Sequence, residues 1–331
     1  MSNDTLIVPP LYHPPGMWAW DFWFAKQGST YHAFYLQAPW CLGEPGRMYG
    51  NEHVGHATSQ DLIHWTDQGP ALIAFKDTWN DASIATGSVV AHGGKWWMLF
   101  SGVGNKVRGV GLAESDDLMR WRKVGDGPVV PFGKPFDGVW EGKPLQWVAC
   151  ADPYVYPDPV AGWFYAIINS QVVGVPISES GCLTTMRSRD MKTWEPAGAL
   201  TCPGWFERLE TPQVWQHGGR WYLYFGGAHD HGLSERYCKE MPEEVVKLQS
   251  RVNCVFTADR FEGPYRPTGK WWFTLPDGKR GYIAKVLPDP DGREMLFMAV
   301  DAKLSRPYPV NYAADGSLVL GKPAVATPLL T

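Results

Sequence analysis

Residues 92–102 read HGGKWWMLFSG, and residues 217–227 read HGGRWYLYFGG. In both stretches a glycine pair precedes a run of aromatic and aliphatic residues, which is the pattern of a tight turn leading into a β-strand. Three related stretches occur elsewhere, at 27–37 (QGSTYHAFYLQ), 161–170 (AGWFYAIINS) and 291–300 (DGREMLFMAV). The glycines just before the five strands are spaced 57 to 73 residues apart, so the chain divides into five similar units.

A second pattern lies between these hairpins and reads SQDLIHW at 59–65, SDDLMRW at 115–121 and SRDMKTW at 188–194. Each copy predicts a strand that ends in a turn and passes a tryptophan into the next strand. The best helical candidate, 238–251, is interpreted as an insertion. Repeated units of about four short antiparallel strands predict an all-β fold, a five-bladed β-propeller that forms one catalytic domain over residues 1–331. A β-sandwich, or two unrelated β-domains, is the alternative.

Composition restricts the possible partners. The net charge of −4 gives no indication of a nucleic-acid or anionic-membrane partner. Aromatic residues make up 14% of the chain, which suits β-structure and also carbohydrate binding, where flat rings pack on sugar faces. No apolar run reaches the roughly 18 residues that span a bilayer, and the N-terminus lacks a signal-peptide pattern, so a cytoplasmic location is predicted.

The six cysteines show no CxxC motif or regular spacing, so we expect reduced thiols without a disulfide and without zinc. They are Cys41, Cys150, Cys182, Cys202, Cys238 and Cys254. The sequence HDH at 229–231 is a weak metal motif, for which a solvated loop is favoured. No cofactor and no metal are predicted.

The first strand of each propeller blade lines the central channel, and here it precedes each glycine turn. The candidate inner strands are 18–25, 84–91, 151–157, 209–215 and 282–288. Three of them carry one acid each, Asp21, Asp152 and Glu210, whereas the second carries Gly87–Ser88 and the fifth carries Lys285. Because inner strands converge, these three carboxyl groups are expected to meet at one mouth of the channel, where like charges perturb one another.

Two carboxyl groups on opposite sides of a glycosidic bond are what glycoside hydrolysis requires. Glu210 is the predicted proton donor, because apolar neighbours such as Trp205, Phe206 and Trp215 are expected to surround it. Two alternatives remain: the acids bind a divalent cation, or each acid only caps a turn.

The stretches YHAFYLQAP at 31–39 and GNEHVGHATSQDLIHWTDQGPAL at 50–72 resemble glycoside hydrolase family 32, the invertases and fructanases. The resemblance implies retaining hydrolysis or transfer of fructofuranosyl units from a small carbohydrate. Carried over by position, it makes Asp21 the nucleophile, Asp152 the transition-state stabiliser and Glu210 the acid/base. The predicted substrate-binding residues are Trp20, Trp23, Gln37, Trp40, His53, Trp65, Thr86 and Ser88. Four tryptophans, Trp18, Trp20, Trp23 and Trp40, are expected to narrow the pocket.

This chain departs from the family pattern around all three acids. Trp20 precedes Asp21 where the family has Asn, Ala151 precedes Asp152 where the family has Arg, and Thr211 follows Glu210 where the family has Cys. We expect the propeller alone, without the family's usual C-terminal β-sandwich. The alternatives are an inverting glycosidase of the related arabinan- and xylan-type propellers and an inactive, sugar-binding propeller.

Overall fold

The structure, a computed structural model, describes residues 11–132, 135–147 and 152–323. Its regular structure is almost entirely antiparallel β-sheet, in five sheets that follow one another along the chain. The inner strand of each sheet contacts the inner strand of the next, and the last contacts the first, so the sheets close into a ring. The predicted five-bladed propeller is confirmed.

The first two blades keep the order of the chain, with a short fifth strand added to the second. Blade one contains β1 (Met17–Gln27), β2 (Thr30–Pro39), β3 (His53–Ser59) and β4 (Thr66–Leu72). Blade two contains β5 (Ser83–His92), β6 (Lys95–Val103), β7 (Arg108–Ser115), β8 (Arg122–Val124) and β9 (Val130–Pro131).

The third blade is the largest, because a hairpin precedes its inner strand. It contains β10 (Pro135–Trp140), β11 (Lys143–Trp147), β12 (Tyr154–Pro157), β13 (Phe164–Val172), β14 (Gly181–Ser188) and β15 (Glu195–Thr201). The sequence did not predict the β10–β11 hairpin, and the inner strand is shorter than expected. It begins after Asp152, and Ala151 lies outside the described residues.

The last two blades complete the ring. Blade four contains β16 (Arg208–His217), β17 (Arg220–Ala228), β18 (Arg251–Ala258) and β19 (Arg266–Phe273). Blade five contains β20 (Gly281–Pro288), β21 (Glu294–Val300), β22 (Lys303–Leu304), β23 (Tyr308–Tyr312) and β24 (Leu318–Leu320).

Helices are short and lie in the connections. The predicted insertion in blade four contains two helices, α1 (Glu235–Glu240) and α2 (Glu243–Val246), which replace the single helix expected over 238–251. Ser234 accepts a hydrogen bond from the backbone N–H of Tyr237 and so caps α1. Three 3-10 turns cover Trp40–Leu42, Pro45–Met48 and Ile177–Glu179.

The repeated Ser-x-Asp stretches form one kind of turn in the first three blades. The turn joins β3 to β4, β7 to β8 and β14 to β15. In blade three, Ser188 Oγ accepts the N–H of Asp190 and of Met191 at 3.2 and 3.0 Å. Asp190 Oδ1 accepts the N–H of Lys192 and Thr193 at 2.9 and 2.8 Å. Met191 adopts φ 66° and is fully buried, so the turn also inserts a core side chain.

The segment before β1 ties the ring together. The backbone N–H of Tyr12 donates to Leu304 O at 3.2 Å, and Leu304 N–H donates back to Tyr12 O at 2.8 Å. Ala19, on β1, donates to Ala302 O at 2.9 Å. The first and last blades are therefore joined by backbone hydrogen bonds.

The expectation that all the cysteines are reduced is wrong. Cys182 on β14 and Cys202, just after β15, form a disulfide with a Cα–Cα distance of 4.2 Å. The antiparallel pairing of these strands places the two residues opposite one another, which their separation of 20 residues along the chain does not reveal. Cys41, Cys238 and Cys254 are free, and Cys150 lies outside the described residues.

Candidate active site

A cavity of about 950 Å³ lies among the inner strands. Asp21, Asp152 and Glu210 all line it, so the structure brings the three predicted acids to one place. The wall also includes polar and charged side chains from several blades and connections. They are Glu52, Thr86, Asn169, Arg208, Thr211, Arg251, Asn253, Lys279, Arg280, Tyr282 and Asp301.

A repeated backbone irregularity aims the inner strands at this cavity. The β1–β2, β16–β17 and β20–β21 pairs each shift register, at the positions of Asp21, Thr211 and Ile283. These residues have φ values of 52°, 46° and 62°, and Asp152 has 42° just before β12. Left-handed conformations of this kind cost about 1–3 kcal/mol for a residue other than glycine and cluster at functional sites.

The three acids occupy two different positions relative to the left-handed residue of their inner strands. Asp21 and Asp152 occupy the left-handed position itself, whereas Glu210 stands one residue before the corresponding position, Thr211. In the second blade a Cβ on Gly87 would lie 2.4 Å from Leu99 O, so close backbone approach prevents any longer side chain there. The similar register expected for the three acids is therefore only approximate.

Asp21 is held by one short hydrogen bond in a desolvated position. Thr86 Oγ1 donates to Asp21 Oδ2 at 2.5 Å across the boundary between the first two blades. Burial raises the pKa of Asp21 to about 6, and the charge of Glu210 adds to this effect. Thr86 and Lys285 oppose the rise in the pKa of Asp21.

Asp152 lies deeper in the protein and is 8% exposed. Its Oδ2 accepts the backbone N–H of Thr211 at 3.2 Å, and its own N–H donates to Ser101 Oγ at 3.2 Å. Burial, followed by the charges of Asp21 and Glu210, raises the pKa of Asp152 to about 8. Asp152 therefore keeps its proton to a higher pH than Asp21 does.

Glu210 has polar neighbours rather than the apolar ones expected. Its Oε1 lies 3.0 Å from Arg208 Nη2, and its Oε2 accepts the hydroxyl of Tyr282 at 2.9 Å. The three predicted apolar neighbours lie elsewhere. The Trp205 indole donates to Glu240, Phe206 is buried in the core beside His229, and the Trp215 indole donates to Tyr312.

The HDH sequence at 229–231 supports the arginines of the site. Asp230 pairs with Arg208 and, at 2.8 Å, with Arg251 Nη2. Asp230 N–H and His231 N–H both donate to Glu207 Oε2 at 3.1 Å. His229 is buried, so the prediction of a solvated loop is wrong for that residue. The loop thus fixes two guanidinium groups beside Glu210.

Of the eight predicted sugar-binding residues, Trp20 and Thr86 line the cavity and the other six do not. Trp23 and Gln37 are buried within blade one, where Gln37 Nε2 pairs with His53 Nε2 at 2.9 Å. Ser88 accepts the N–H of Val155 and so links two blades.

Trp40 and Trp65 also lie away from the cavity wall. Trp40 is 44% exposed and packs on His13, and Trp65 packs against Tyr12 and Phe24. The expectation that Trp18, Trp20, Trp23 and Trp40 narrow the pocket is therefore wrong for all but Trp20, the one tryptophan among the residues that line the cavity. The cavity is correspondingly wide, near the upper end of ordinary ligand sites.

Residues 21–205, more than half of the chain, match the model of the glycosyl hydrolases family 32 N-terminal domain. The chain belongs to glycosyl hydrolase family 32. The predicted family is thus confirmed, and the matched region begins at Asp21 and includes Asp152.

The chain is similar in sequence to curated relatives and similar in fold to solved structures. The sucrose-6-phosphate hydrolase of Bacillus subtilis is 24% identical over 319 residues, covering 88% of this chain and 55% of that protein. A family-32 β-fructofuranosidase from Bombyx mori has a TM-score of 0.70 at 19% identity, over 94% of this chain and 64% of that one. An inulosucrase from Halalkalicoccus jeotgali, bound to kestose, has 0.71 at 20% identity, over 98% and 93%.

The family-32 chain spans about a quarter to about half of the length of the curated relatives that it matches. None of the described helices is long and apolar enough to cross a membrane. The cytoplasmic location and the single catalytic domain over residues 1–331 stay predictions.

Several residues of the family-32 site were missed from the sequence. Arg208 stands two residues before Glu210 and so shares a face of the strand, which was a usable signal. Tyr282 stands on the fifth inner strand, where aligning the strands would have found it. Glu52 comes from the connection before β3 and Arg251 is the first residue of β18, and no pattern in the sequence predicted them. Among the described residues, no group of three or more His, Cys, Asp or Glu side chains could hold a metal ion.

Proposed function

We propose that this chain hydrolyses small β-fructofuranosides, such as sucrose or a sucrose derivative, with retention of anomeric configuration. The observation that carries the proposal is the convergence of Asp21, Asp152 and Glu210 on one cavity. Its volume of about 950 Å³ has room for a disaccharide or a short oligosaccharide. The names of relatives that act on sucrose phosphate or fructofuranosides support this substrate class.

In the proposed mechanism Asp21 attacks the anomeric carbon of the fructosyl unit, and Glu210 gives a proton to the departing oxygen. The carbon–oxygen bond to the leaving sugar breaks, and a covalent fructosyl ester forms on Asp21. Glu210 then removes a proton from water, which attacks the same carbon and releases fructose and free Asp21. Arg208 and Tyr282 orient Glu210, since each contacts one of its oxygens.

The two aspartates of the site, Asp21 and Asp152, differ in the pH at which each loses its proton. The pKa of about 6 makes Asp21 the first of the two aspartates to ionise, as a nucleophile requires. Asp152, with a pKa of about 8, keeps a proton with which it donates a hydrogen bond to a fructosyl hydroxyl. This hydrogen bond positions the fructosyl ring, and in the proposed mechanism the carboxyl group of Asp152 stabilises the positive charge that develops at the anomeric carbon.

The test compares sucrose with a nitrophenyl fructofuranoside, whose leaving group needs little protonation. Glu210→Gln should lose about 10²–10⁴-fold in rate on sucrose and much less in the cleavage step of the nitrophenyl substrate. Asp21→Asn should be inactive on both, because no leaving group compensates for a missing nucleophile. Asp116→Asn, at an exposed acid on blade two, is the control that should keep full activity.

The anomeric form of the first fructose released should be followed by NMR on the wild-type protein. Retention agrees with the proposal, whereas inversion would assign the chain to the alternative mechanism with a water nucleophile. Equal losses of Glu210→Gln and Asp21→Asn on both substrates would show that the assigned roles are wrong. Sugar binding without cleavage of any furanoside would favour an inactive, binding propeller.

A further inference from the structure

Lys285 is a buried cation that the proposed mechanism does not use. It stands on β20, the inner strand of blade five, and is 5% exposed. Its Nζ donates to Thr211 O at 2.7 Å and to Pro212 O at 3.4 Å, both on β16. It also lies 5.8 Å from the ring centroid of Tyr224. An ammonium group so far from water is costly unless it is hydrogen-bonded and paired with opposite charge.

Asp21 is the predicted catalytic acid whose charge compensates Lys285 near neutral pH, and Asp152 adds to this only where it is ionised. Burial lowers the pKa of Lys285 to about 8, and the charges of Asp21 and Asp152 oppose that change. Burial has the largest effect on the pKa of Asp21 and raises it. The Thr86 hydroxyl and Lys285 lower the pKa of Asp21, whereas Glu210 on β16 and Glu52 before β3 raise it further. Four of the five blades thus bring three acids and one lysine toward the same region.

The hydrogen bonds of Lys285 also reach the backbone beside Glu210. Thr211 and Pro212 are the two residues between the paired positions Glu210 and Gln213, where β16 departs from regular register. A left-handed residue such as Thr211, with φ 46°, needs surrounding contacts to hold it. Two bonds from one ammonium group supply such contacts from the neighbouring blade.

We propose that Lys285 is a positioning residue, the fixed counter-charge of Asp21 and the clamp on the Thr211–Pro212 backbone that carries Glu210. This inference rests on the proposed function of the same site. It assigns to the fifth blade a second part in the reaction, beside that of Tyr282, although that blade contributes none of the three acids.

The first experiment follows the side-chain carboxyl carbon of Asp21 by NMR as a function of pH, and needs no enzymatic activity. In Lys285→Met the titration midpoint of Asp21 should rise by about one pH unit, since a nearby cation lowers the pKa of an acid by this order. Lys285→Arg keeps the charge and should leave the midpoint close to wild type. Lys279→Met removes an exposed lysine from the wall of the same cavity and is the matched control.

A second measurement does not depend on whether Lys285→Met folds. Because electrostatic coupling is reciprocal, the titration midpoint of Lys285 itself should be lower in Asp21→Asn than in wild type. An unchanged Asp21 midpoint in folded Lys285→Met, or an unchanged Lys285 midpoint in Asp21→Asn, would overturn the inference.

Kinetics then link the charge to the reaction. The acid limb of the kcat/KM profile should move upward in Lys285→Met by the same amount as the Asp21 midpoint, and kcat should fall more than KM rises. If Lys285 serves only folding, Lys285→Met will lower Tm and leave the acid limb of the kcat/KM profile at its wild-type pH. That result would contradict the proposal. If wild type cleaves no fructofuranoside, the proposed function fails, but the two NMR titrations still decide the coupling of Lys285 to Asp21.

Discussion

The fold places the carboxyl group of Asp152 where its ionised form is unfavourable. It is buried, and Asp21 and Glu210 are close enough to raise its pKa to about 8. A folded-state pKa above the unfolded value of about 4 means that the folded chain binds the proton more tightly. The free energy of unfolding therefore falls as the pH rises from about 4 to about 8. Asp152 therefore lowers the stability of the folded protein at pH values where its carboxyl group is ionised.

Asp152→Asn should remove this cost, and asparagine also tolerates the left-handed backbone at this position. We expect the free energy of unfolding to increase by on the order of 1 kcal/mol or more at pH 8, since one pKa unit corresponds to about 1.4 kcal/mol. The gain should shrink toward pH 4. Thermal unfolding at several pH values measures it.

Asp301→Asn is the control for this stability prediction, because Asp301 lines the same cavity but is exposed. Its replacement should change Tm little at any pH. A Tm for Asp152→Asn at pH 8 that is equal to or below that of wild type would show that Asp152 is not destabilising when charged.

Single residues differ in how well the sequence predicted them. Asp21, Asp152 and Glu210 were found because each is the acid of an inner strand, and inner strands must converge. Gln37 and Ser88 were not placed correctly, because their neighbours across the sheets decide their partners: His53 for Gln37 and the backbone of Val155 for Ser88. Such partners depend on strand register, which motif positions alone do not give.

The Ser-x-Asp turns are the element-scale device that repeats in the first three blades. Asp61, Asp117 and Asp190 each accept two backbone N–H groups through one carboxylate oxygen. Replacing any one by alanine should cost about 1 kcal/mol, as for loss of a helix cap. Since the turns lie in different blades, the triple variant should lose about the sum.

Urea unfolding of the single and triple variants measures these costs, with Asp116→Ala as a control in the turn of blade two. Activity per folded molecule should stay at the wild-type level, because none of the three turns lines the cavity. A triple variant no less stable than one single variant would contradict independent turns.

The turns were predictable as elements because Ser, Asp and Trp recur at fixed spacing. The displaced register of the inner strands was not, because a left-handed residue such as Asp21, Thr211 or Ile283 has no common side chain that signals it. The third blade also contains an element that the sequence repeat did not predict. Its additional hairpin, β10–β11, has no counterpart in the other four blades, so the repeat could not predict it.

Closure of the ring is a property of the whole molecule, and Tyr12 contributes to it. Its hydroxyl lies 2.9 Å from the hydroxyl of Tyr35, and its ring packs near Tyr35 and Trp65. Tyr12→Ala should lower the free energy of unfolding by about 2 kcal/mol, less than for a fully buried aromatic residue. Tyr12→Phe should lose only the hydroxyl contribution of about 1 kcal/mol.

Denaturant unfolding, with kcat measured at low temperature, separates stability from function for these variants. The ring should still close in Tyr12→Ala, because the backbone bonds to Leu304 remain, so kcat should change little. An unfolding free energy for Tyr12→Ala equal to that of wild type would mean that this contact does not stabilise closure.

The bonds from Tyr12 and Ala19 to blade five have a consequence during synthesis on the ribosome. Their partners, Leu304 and Ala302, are made about 290 residues later, or roughly 15–60 s at ordinary translation rates. Until then β1 lacks its contacts with β20 and β22, although β2 and β5 are already beside it. The strand that carries Asp21 is thus among the first to be made, and its place in the ring is fixed only when the last blade is complete.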